Sequence, residues 1–186
     1  MRHDAVELLS RRRLLLGTLA LGVVALRPVG AAAGGDDSVT IEIFDAGGRS
    51  KGTEKLAHIV KTDTEWRQQL SLSAYEVTRH DGTERAFSGP YDGNHADGLY
   101  GCICCGTVLF DSRTKFDSGT GWPSFWKPIS KLNVVERADN SFGLQRTAVA
   151  CRRCDAHLGH VFDDGPRPTG LRYCMNSVAL NFLPRG

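Results

Sequence analysis

Two Cys-x-x-Cys pairs, Cys102 with Cys105 and Cys151 with Cys154, constrain this chain more than any other feature of its sequence. Each pair is a knuckle that can turn two thiolates toward one point, and two knuckles supply the four sulfurs of a closed tetrahedral zinc site. The 45 residues between the pairs make a longer separation than a compact zinc ribbon has. Two disulfides are an alternative, which an oxidising compartment would favour. A third arrangement uses Cys151, Cys154, His157 and His160 as a local ligand set and leaves Cys102 and Cys105 without a role. A four-thiolate zinc has no position open for water or substrate, so on the first reading the metal holds the fold and the chemistry lies elsewhere.

All six cysteines follow residue 101, and two are left over: Cys104, inside the first knuckle, and Cys174. Cys174 lies in Leu171-Arg172-Tyr173-Cys174-Met175-Asn176, where a strand puts Arg172, Cys174 and Asn176 on one face. A cation beside a thiol favours thiolate and an amide can hold a substrate oxygen, so this face suits a nucleophile with its electrostatic support. The plain alternative is an inert buried cysteine. His157 and His160 follow directly on the second knuckle, and imidazoles titrate near neutrality and deliver protons. One of the two could equally be structural. Gly119-Thr120-Gly121-Trp122-Pro123-Ser124-Phe125-Trp126 reads as a glycine-hinged loop presenting an indole as an apolar wall, against the alternative of a core tryptophan behind a turn.

The rest of the chain describes a turn-rich, mainly β body. Hydrophobic residues at 41% suffice for a core, while 21 glycines, 7 prolines and 8% aromatic residues argue against a long-helix bundle. Val39 to Phe44 reads as a short strand. Thr62-Asp63-Thr64-Glu65 and Ser73-Ala74-Tyr75-Glu76 both have the form of a capping box, which predicts short helices over 63–70 and 74–79. Beyond Gly82, strand-forming runs at Thr107 to Phe110, Asn133 to Arg137, Thr147 to Cys151 and Leu171 to Phe182 alternate with turn residues, which predicts an antiparallel body.

The opening segment reads as an export signal. Arg11-Arg12-Arg13 precedes an apolar run from Leu14 to Leu26, then Arg27-Pro28 and Ala31-Ala32-Ala33. As helix that run spans about 20 Å against a hydrocarbon core of about 30 Å, too short for an anchor. Basic region, apolar region and small-residue cleavage site follow in order, and the paired arginines resemble a twin-arginine signal, as do Gly17 and Gly22 within the apolar run. The expected division is a signal peptide over 1–33, an N-terminal extension over 34–61 and the functional domain over 62–186, periplasmic and without a membrane anchor once cleaved. Leaving out 1–33, the chain carries 18 basic and 19 acidic side chains, a balance that argues against nucleic acid as a partner.

From about Leu70 to Pro184 the sequence resembles the methionine-R-sulfoxide reductase B family. The resemblance rests on Gly82-Thr83-Glu84, Phe87-Ser88-Gly89, Gly98-Leu99-Tyr100-x-Cys102, Lys115-Phe116-Asp117-Ser118-Gly119 through Phe125, His157 to Phe162 with Asp164-Gly165-Pro166, and Arg172-Tyr173-Cys174-Met175-Asn176-Ser177. It implies two antiparallel sheets in a barrel-like body with small N-terminal helices, and one structural zinc per chain on Cys102, Cys105, Cys151 and Cys154. It implies Cys174 as nucleophile, His157, His160 and Asn176 around the sulfoxide oxygen, and Trp122 against the substrate methyl, with Arg172 beside them. The activity implied is reduction of the R epimer of methionine sulfoxide in oxidised proteins through a sulfenic acid on Cys174. Many members carry a resolving cysteine where this chain has Thr120, and others carry one ahead of the first knuckle, where this chain has none. An external dithiol of the thioredoxin type is therefore the expected reductant, with a Cys104 to Cys174 disulfide as the alternative. Two other classes stand beside this one: a zinc-stabilised binding module without catalysis, and an exported protein stapled by disulfides.

Overall fold

The computed structural model describes residues 37–143 and 145–185. The expected signal peptide and cleavage site lie outside the described residues. Eleven strands, two helices and three short 3₁₀ turns make up the described chain. The strands are β1 (Ser38–Phe44), β2 (Ser50–Ala57), β3 (Gly98–Cys102), β4 (Val108–Asp111), β5 (Lys115–Phe116), β6 (Ser124–Phe125), β7 (Val134–Asp139), β8 (Arg146–Cys151), β9 (His157–Phe162), β10 (Arg172–Met175) and β11 (Leu180–Pro184).

Helix α1 (Asp63–Gln69) starts where the sequence places it: the Thr62 side chain accepts from the Glu65 amide at 3.3 Å and the Glu65 carboxylate accepts from the Thr62 amide at 2.7 Å. Helix α2 (Leu72–Arg79) starts two residues earlier than expected. Ser71, not Ser73, is its cap, accepting from the Ala74 amide at 3.2 Å, while the Ser73 hydroxyl lies 3.2 Å from that of Ser71. Of the two serines, the earlier one satisfies an orphan amide and lengthens the helix, so it takes the end. The α2 face of Ala74, Tyr75, Val77 and Thr78 is buried, and the helix packs against β9 and the turn at Ser177–Ala179.

Two antiparallel sheets form the body, as expected: six strands in the order β5-β6-β10-β9-β8-β7, and three in the order β11-β3-β4. They do not close into a barrel, because the six-stranded sheet ends in open edges at β5 and β7. Strands of two residues, β5 and β6, on either side of a glycine- and serine-rich loop offer too little ladder to continue the sheet around. The core is aromatic: Phe110 stacks on Phe125 with centroids 4.5 Å apart, and Tyr100 meets Phe125 edge-on at 5.1 Å.

The run from Leu171 to Phe182 is not one strand. It breaks after β10 into a 3₁₀ turn at Ser177–Ala179 and resumes as β11 in the other sheet. The Glu84 carboxylate accepts from the amides of Ser177 at 2.6 Å and Val178 at 3.0 Å, taking donors that a continuing strand would pair.

A second difference lies ahead of the helices. The expected strand near Val39 has a partner: β1 pairs antiparallel with β2, a charged and almost wholly exposed strand within the extension to which no element was assigned from sequence. Ile41 anchors the hairpin, being 2% exposed. The Asn133 side chain accepts from the Glu42 amide at 2.8 Å and donates to the carbonyls of Glu42 at 2.9 Å and Val108 at 2.8 Å. After the hairpin, Ile59 donates its amide to the Arg153 carbonyl at 2.7 Å and His58 pairs with Asp155 at 2.8 Å, both partners belonging to the second knuckle region.

Candidate active site

The two knuckles meet. The sulfurs of Cys102, Cys105, Cys151 and Cys154 all lie within 4.8 Å of one another, with Cys102 to Cys154 at 3.7 Å and Cys105 to Cys151 at 3.5 Å. None of the four is in a disulfide. Four sulfurs placed tetrahedrally at about 2.3 Å from a zinc ion lie about 3.8 Å from each other, so the spacing fits that ion closely. The four thiols converge and are mostly buried, Cys105 also lying 3.2 Å from the Thr107 hydroxyl, and together they are the soft donor set that zinc takes. The cluster therefore fits a structural zinc site, and the local set that would recruit His157 and His160 is not formed among the described residues, where neither imidazole joins the four sulfurs and the two rings lie 5.3 Å from each other. Cys104 is not one of the four, yet it is buried beside them, its side chain in contact with Cys102 and Cys154 and its thiol 3.4 Å from the Thr78 hydroxyl.

Sheet register assembles the second constellation. Pairing runs Phe116 to Ser124, Ser124 to Cys174, Cys174 to His160 and His160 to Ala148, so these residues form one cross-strand row with Cys174 directly opposite His160. In a regular strand His157 and His160 would point to opposite faces, three residues apart. They do not, because β9 carries a bulge: Ala150 pairs with His157 and Val149 with Gly159, which leaves Leu158 as the extra residue. The two rings come to share a face, 5.3 Å apart. Gly159 makes this fit, since a Cβ there would overlap the Cys174 carbonyl oxygen on β10.

Trp122 arrives from the expected loop, whose glycines at 119 and 121 take positive φ; a side chain at 121 would strike the Phe87 amide. The indole N–H donates to the Glu84 carbonyl at 3.1 Å. Together Trp122, His160, Phe162, Cys174, Met175 and Asn176 line a pocket of about 120 Å³, with Thr83, Arg146 and Gly159 completing it. His157 is not in that pocket. It lines a neighbouring cavity of about 300 Å³ with Asp81, Asp139 and Asp155, and both His160 and Arg146 line the two cavities.

Electrostatics qualify the reading of Cys174 from sequence. Arg172 is held by Asp164 through two contacts of 2.8 Å, lies over the Phe162 ring and does favour the thiolate. Burial outweighs it, and the Cys174 thiol sits above its ordinary value despite Arg172 and the hydroxyls of Thr120 and Ser124. The Thr120 hydroxyl, where a resolving thiol would stand, is 3.9 Å from Cys174 Sγ. Asn176 has its carbonyl oxygen engaged by the Glu84 amide at 2.9 Å and one amino hydrogen given to the Leu158 carbonyl at 3.1 Å, so one N–H is left for a ligand. His157 is 4% exposed, and burial first, then the neighbouring His160, lowers its pKa. Its Nε2 is buried with no partner among the described residues, and Nδ1 is 3.8 Å from Asp81. His160 instead has its Nε2 2.8 Å from the Asp139 carboxylate.

Sequence reading singled out Cys174, His157, His160, Asn176, Trp122 and Arg172. It assigned nothing to Asp139, Arg146, Phe162 or Glu84, all of which touch that group. Glu84 stood within a quoted motif, whereas Asp139 gave no local signal, being 21 residues from the histidine it meets.

The SelR domain matches residues 70–184. A peptide methionine sulfoxide reductase MsrB of Pseudomonas putida is 58% identical over 130 residues, covering 70% of this chain and 99% of that protein. The MsrB of Pseudomonas fluorescens is 60% identical over 130 residues, 70% of this chain and 100% of its own length, and that of Pseudomonas syringae pv. syringae is 60% identical over 125 residues, 67% and 95% respectively. With a SelR domain over more than half its length and this identity across nearly the whole of those relatives, the chain belongs to the peptide methionine-R-sulfoxide reductase B family.

Proposed function

We propose that this oxidoreductase returns the R epimer of methionine sulfoxide in oxidised proteins to methionine, with Cys174 as nucleophile and His160 as proton donor. The observation that carries the reading is the register pair that sets Cys174 against His160 in a pocket walled by Trp122. A sulfoxide oxygen leaves only when protonated. Sulfur of Cys174, as thiolate, bonds to the substrate sulfur while the imidazolium of His160 gives its proton to the oxygen. The hydroxyl then passes to the Cys174 sulfur as the bond between the two sulfurs breaks, giving methionine and a Cys174 sulfenic acid. The proton lost by the Cys174 thiol and the one gained by the oxygen balance, and the enzyme sulfur is oxidised by the two electrons that reduce the substrate. Methyl against Trp122, oxygen toward His160 and the remaining N–H of Asn176, and the polypeptide arm toward solvent can be satisfied together by one configuration at sulfur only.

Recycling is assigned to an external dithiol of the thioredoxin type. One of its thiols displaces water from the sulfenic acid to form a mixed disulfide, and its second thiol releases Cys174. Two observations support this over an internal disulfide: the position beside Cys174 is Thr120, and Cys104 is buried against Thr78 within the first knuckle. Zinc on Cys102, Cys105, Cys151 and Cys154 would offer no reactive position and would fix the base from which β9 carries the histidines. Residues 1–33 are proposed as a twin-arginine signal, 34–61 as an extension and 62–186 as the reductase domain, acting in the periplasm on proteins and without nucleic acid. The arginine pair ahead of the short apolar run supports that assignment.

The test is turnover of separate R and S sulfoxide epimers of a blocked methionine with a dithiol donor. The R epimer alone should react, and Cys174→Ser should abolish the reaction while zinc content stays at one per chain. Turnover of the S epimer, or activity in the Cys174 variant, would refute the reading.

A further inference from the structure

We propose that Asp139 is a positioning residue for the reaction: it fixes the His160 imidazole with a proton on Nε2, so that Nδ1 is the atom that protonates the substrate oxygen. The inference rests on His160 being the donor, as proposed above. Asp139 is the last residue of β7, across the sheet from Arg146, the first of β8. Its carboxylate accepts from three directions: the Ser141 amide at 2.9 Å, Arg146 Nη2 at 2.7 Å and His160 Nε2 at 2.8 Å. These donors hold the carboxyl well below the usual carboxylate range, the Ser141 contacts most and His160 next.

A carboxylate so held can only accept, so Nε2 must be the donor of the pair. In the neutral ring Nδ1 is then bare, and in the imidazolium it carries the second proton. Nδ1 has no protein partner among the described residues, and His160 lines the pocket that holds Cys174. Arg146 serves the arrangement twice, pinning Asp139 by its guanidinium, which also reaches the Ser141 hydroxyl at 3.1 Å, and lining the same pocket. Loss of the proton to the oxygen leaves His160 neutral with Nε2–H still on Asp139, and uptake from solvent restores the cation.

His157 lacks such a partner. Asp81, its nearest carboxylate contact, is 3.8 Å away and largely exposed, and burial opposes a charge on the ring. The charged and titratable groups around His160 are Asp139 on β7, Arg146 on β8, His157 on its own strand, and Cys174 and Arg172 on β10, with Asp81, Arg137 and Asp155 farther along the second cavity. Among the described residues, only Asp139 meets the ring at hydrogen-bond distance.

The experiment uses the full-length, reduced, zinc-loaded enzyme with histidine nitrogens labelled for NMR. In the parent with a neutral ring, His160 should be the Nε2–H tautomer; the Nδ1–H tautomer would overturn the proposal. Asp139→Asn keeps the shape and removes the charge. It should slow single-turnover release of methionine from the R epimer by about 10²- to 10⁴-fold, the worth of a well-placed acid. Its pH profile should no longer superimpose on that of the parent, because the charge beside the ring is gone. Asp139→Glu, which restores a carboxylate, should recover part of the rate. A rate within threefold of the parent and a superimposable pH profile for Asp139→Asn would overturn the proposal. If Asp139→Asn does not fold, shown by lost zinc, the tautomer in the parent decides. His160→Asn at full single-turnover rate would instead remove the donor itself, and with it this inference.

Discussion

At the residue scale, the competition at Cys174 sets how the enzyme rests and when it reacts. Burial raises the thiol above its ordinary value while Thr120, Arg172 and Ser124 pull the other way. The free enzyme is therefore mostly thiol near neutrality, and its alkylation by iodoacetamide should accelerate up to a midpoint above that of an ordinary cysteine. Arg172→Ala should move the midpoint higher still, because it removes one of the opposing influences. A midpoint below the ordinary value in the parent would mean that charge, not burial, governs the site. Residues of this kind were legible where a local spacing exposed them: Cys174 with Arg172 two residues away, the histidines beside a knuckle, Trp122 between glycines. The depth of burial was not, since solvent exclusion at Cys174 depends on a loop and a strand contributed from elsewhere. Asp139 was invisible for the same reason, its function existing only once β7, β8 and β9 are in register.

At the element scale, β1, β4, β7, β8, β10 and the first helix were readable because pattern and caps are local, whereas β2, β3, β5, β6, β9 and the irregularities were not. The bulge in β9 turns two histidines to one face, yet its signature in sequence is a single glycine. Gly159→Ala should force β9 from β10, costing roughly 1–3 kcal/mol as overpacking does and reducing turnover through the displaced His160 and Cys174. Urea denaturation and a turnover assay on the same sample would show both losses; unchanged stability would mean the strands can part without cost. Glu84 is the second irregularity, a side chain from the segment after α2 that ends β10 by taking the Ser177 and Val178 amides and meets Asn176 and Trp122 through its backbone. Glu84→Ala leaves two amides unpaired and should cost roughly 1–3 kcal/mol in the same denaturation. The β1–β2 hairpin was half legible, because its apolar strand shows the alternation of a buried edge and its charged partner does not.

At the scale of the whole molecule, two sheets, a thiolate cluster and a reactive pocket are one construction. The knuckles lie 46 residues apart in sequence at Cys105 and Cys151, and their convergence joins the loop after β3 to the turn between β8 and β9. Metal binding and folding are coupled in such sites, so a strong chelator, or Cys151→Ser, should abolish the cooperative unfolding transition seen by circular dichroism. Retention of that transition without zinc would make the cluster dispensable. The spacing of the cysteines announced the cluster in the sequence, but the open edges at β5 and β7 became visible only with the strand order. The central claim is that Cys174 reduces the R sulfoxide alone and waits as a sulfenic acid for an outside thiol. It is tested most directly by mixing the reduced enzyme with one equivalent of the R epimer and no donor, then trapping with dimedone and mapping the peptides by mass. One methionine per chain and a dimedone adduct on Cys174 are expected, with Cys104→Ser behaving as the parent. A disulfide between Cys104 and Cys174, with turnover lost in the Cys104 variant, would contradict it.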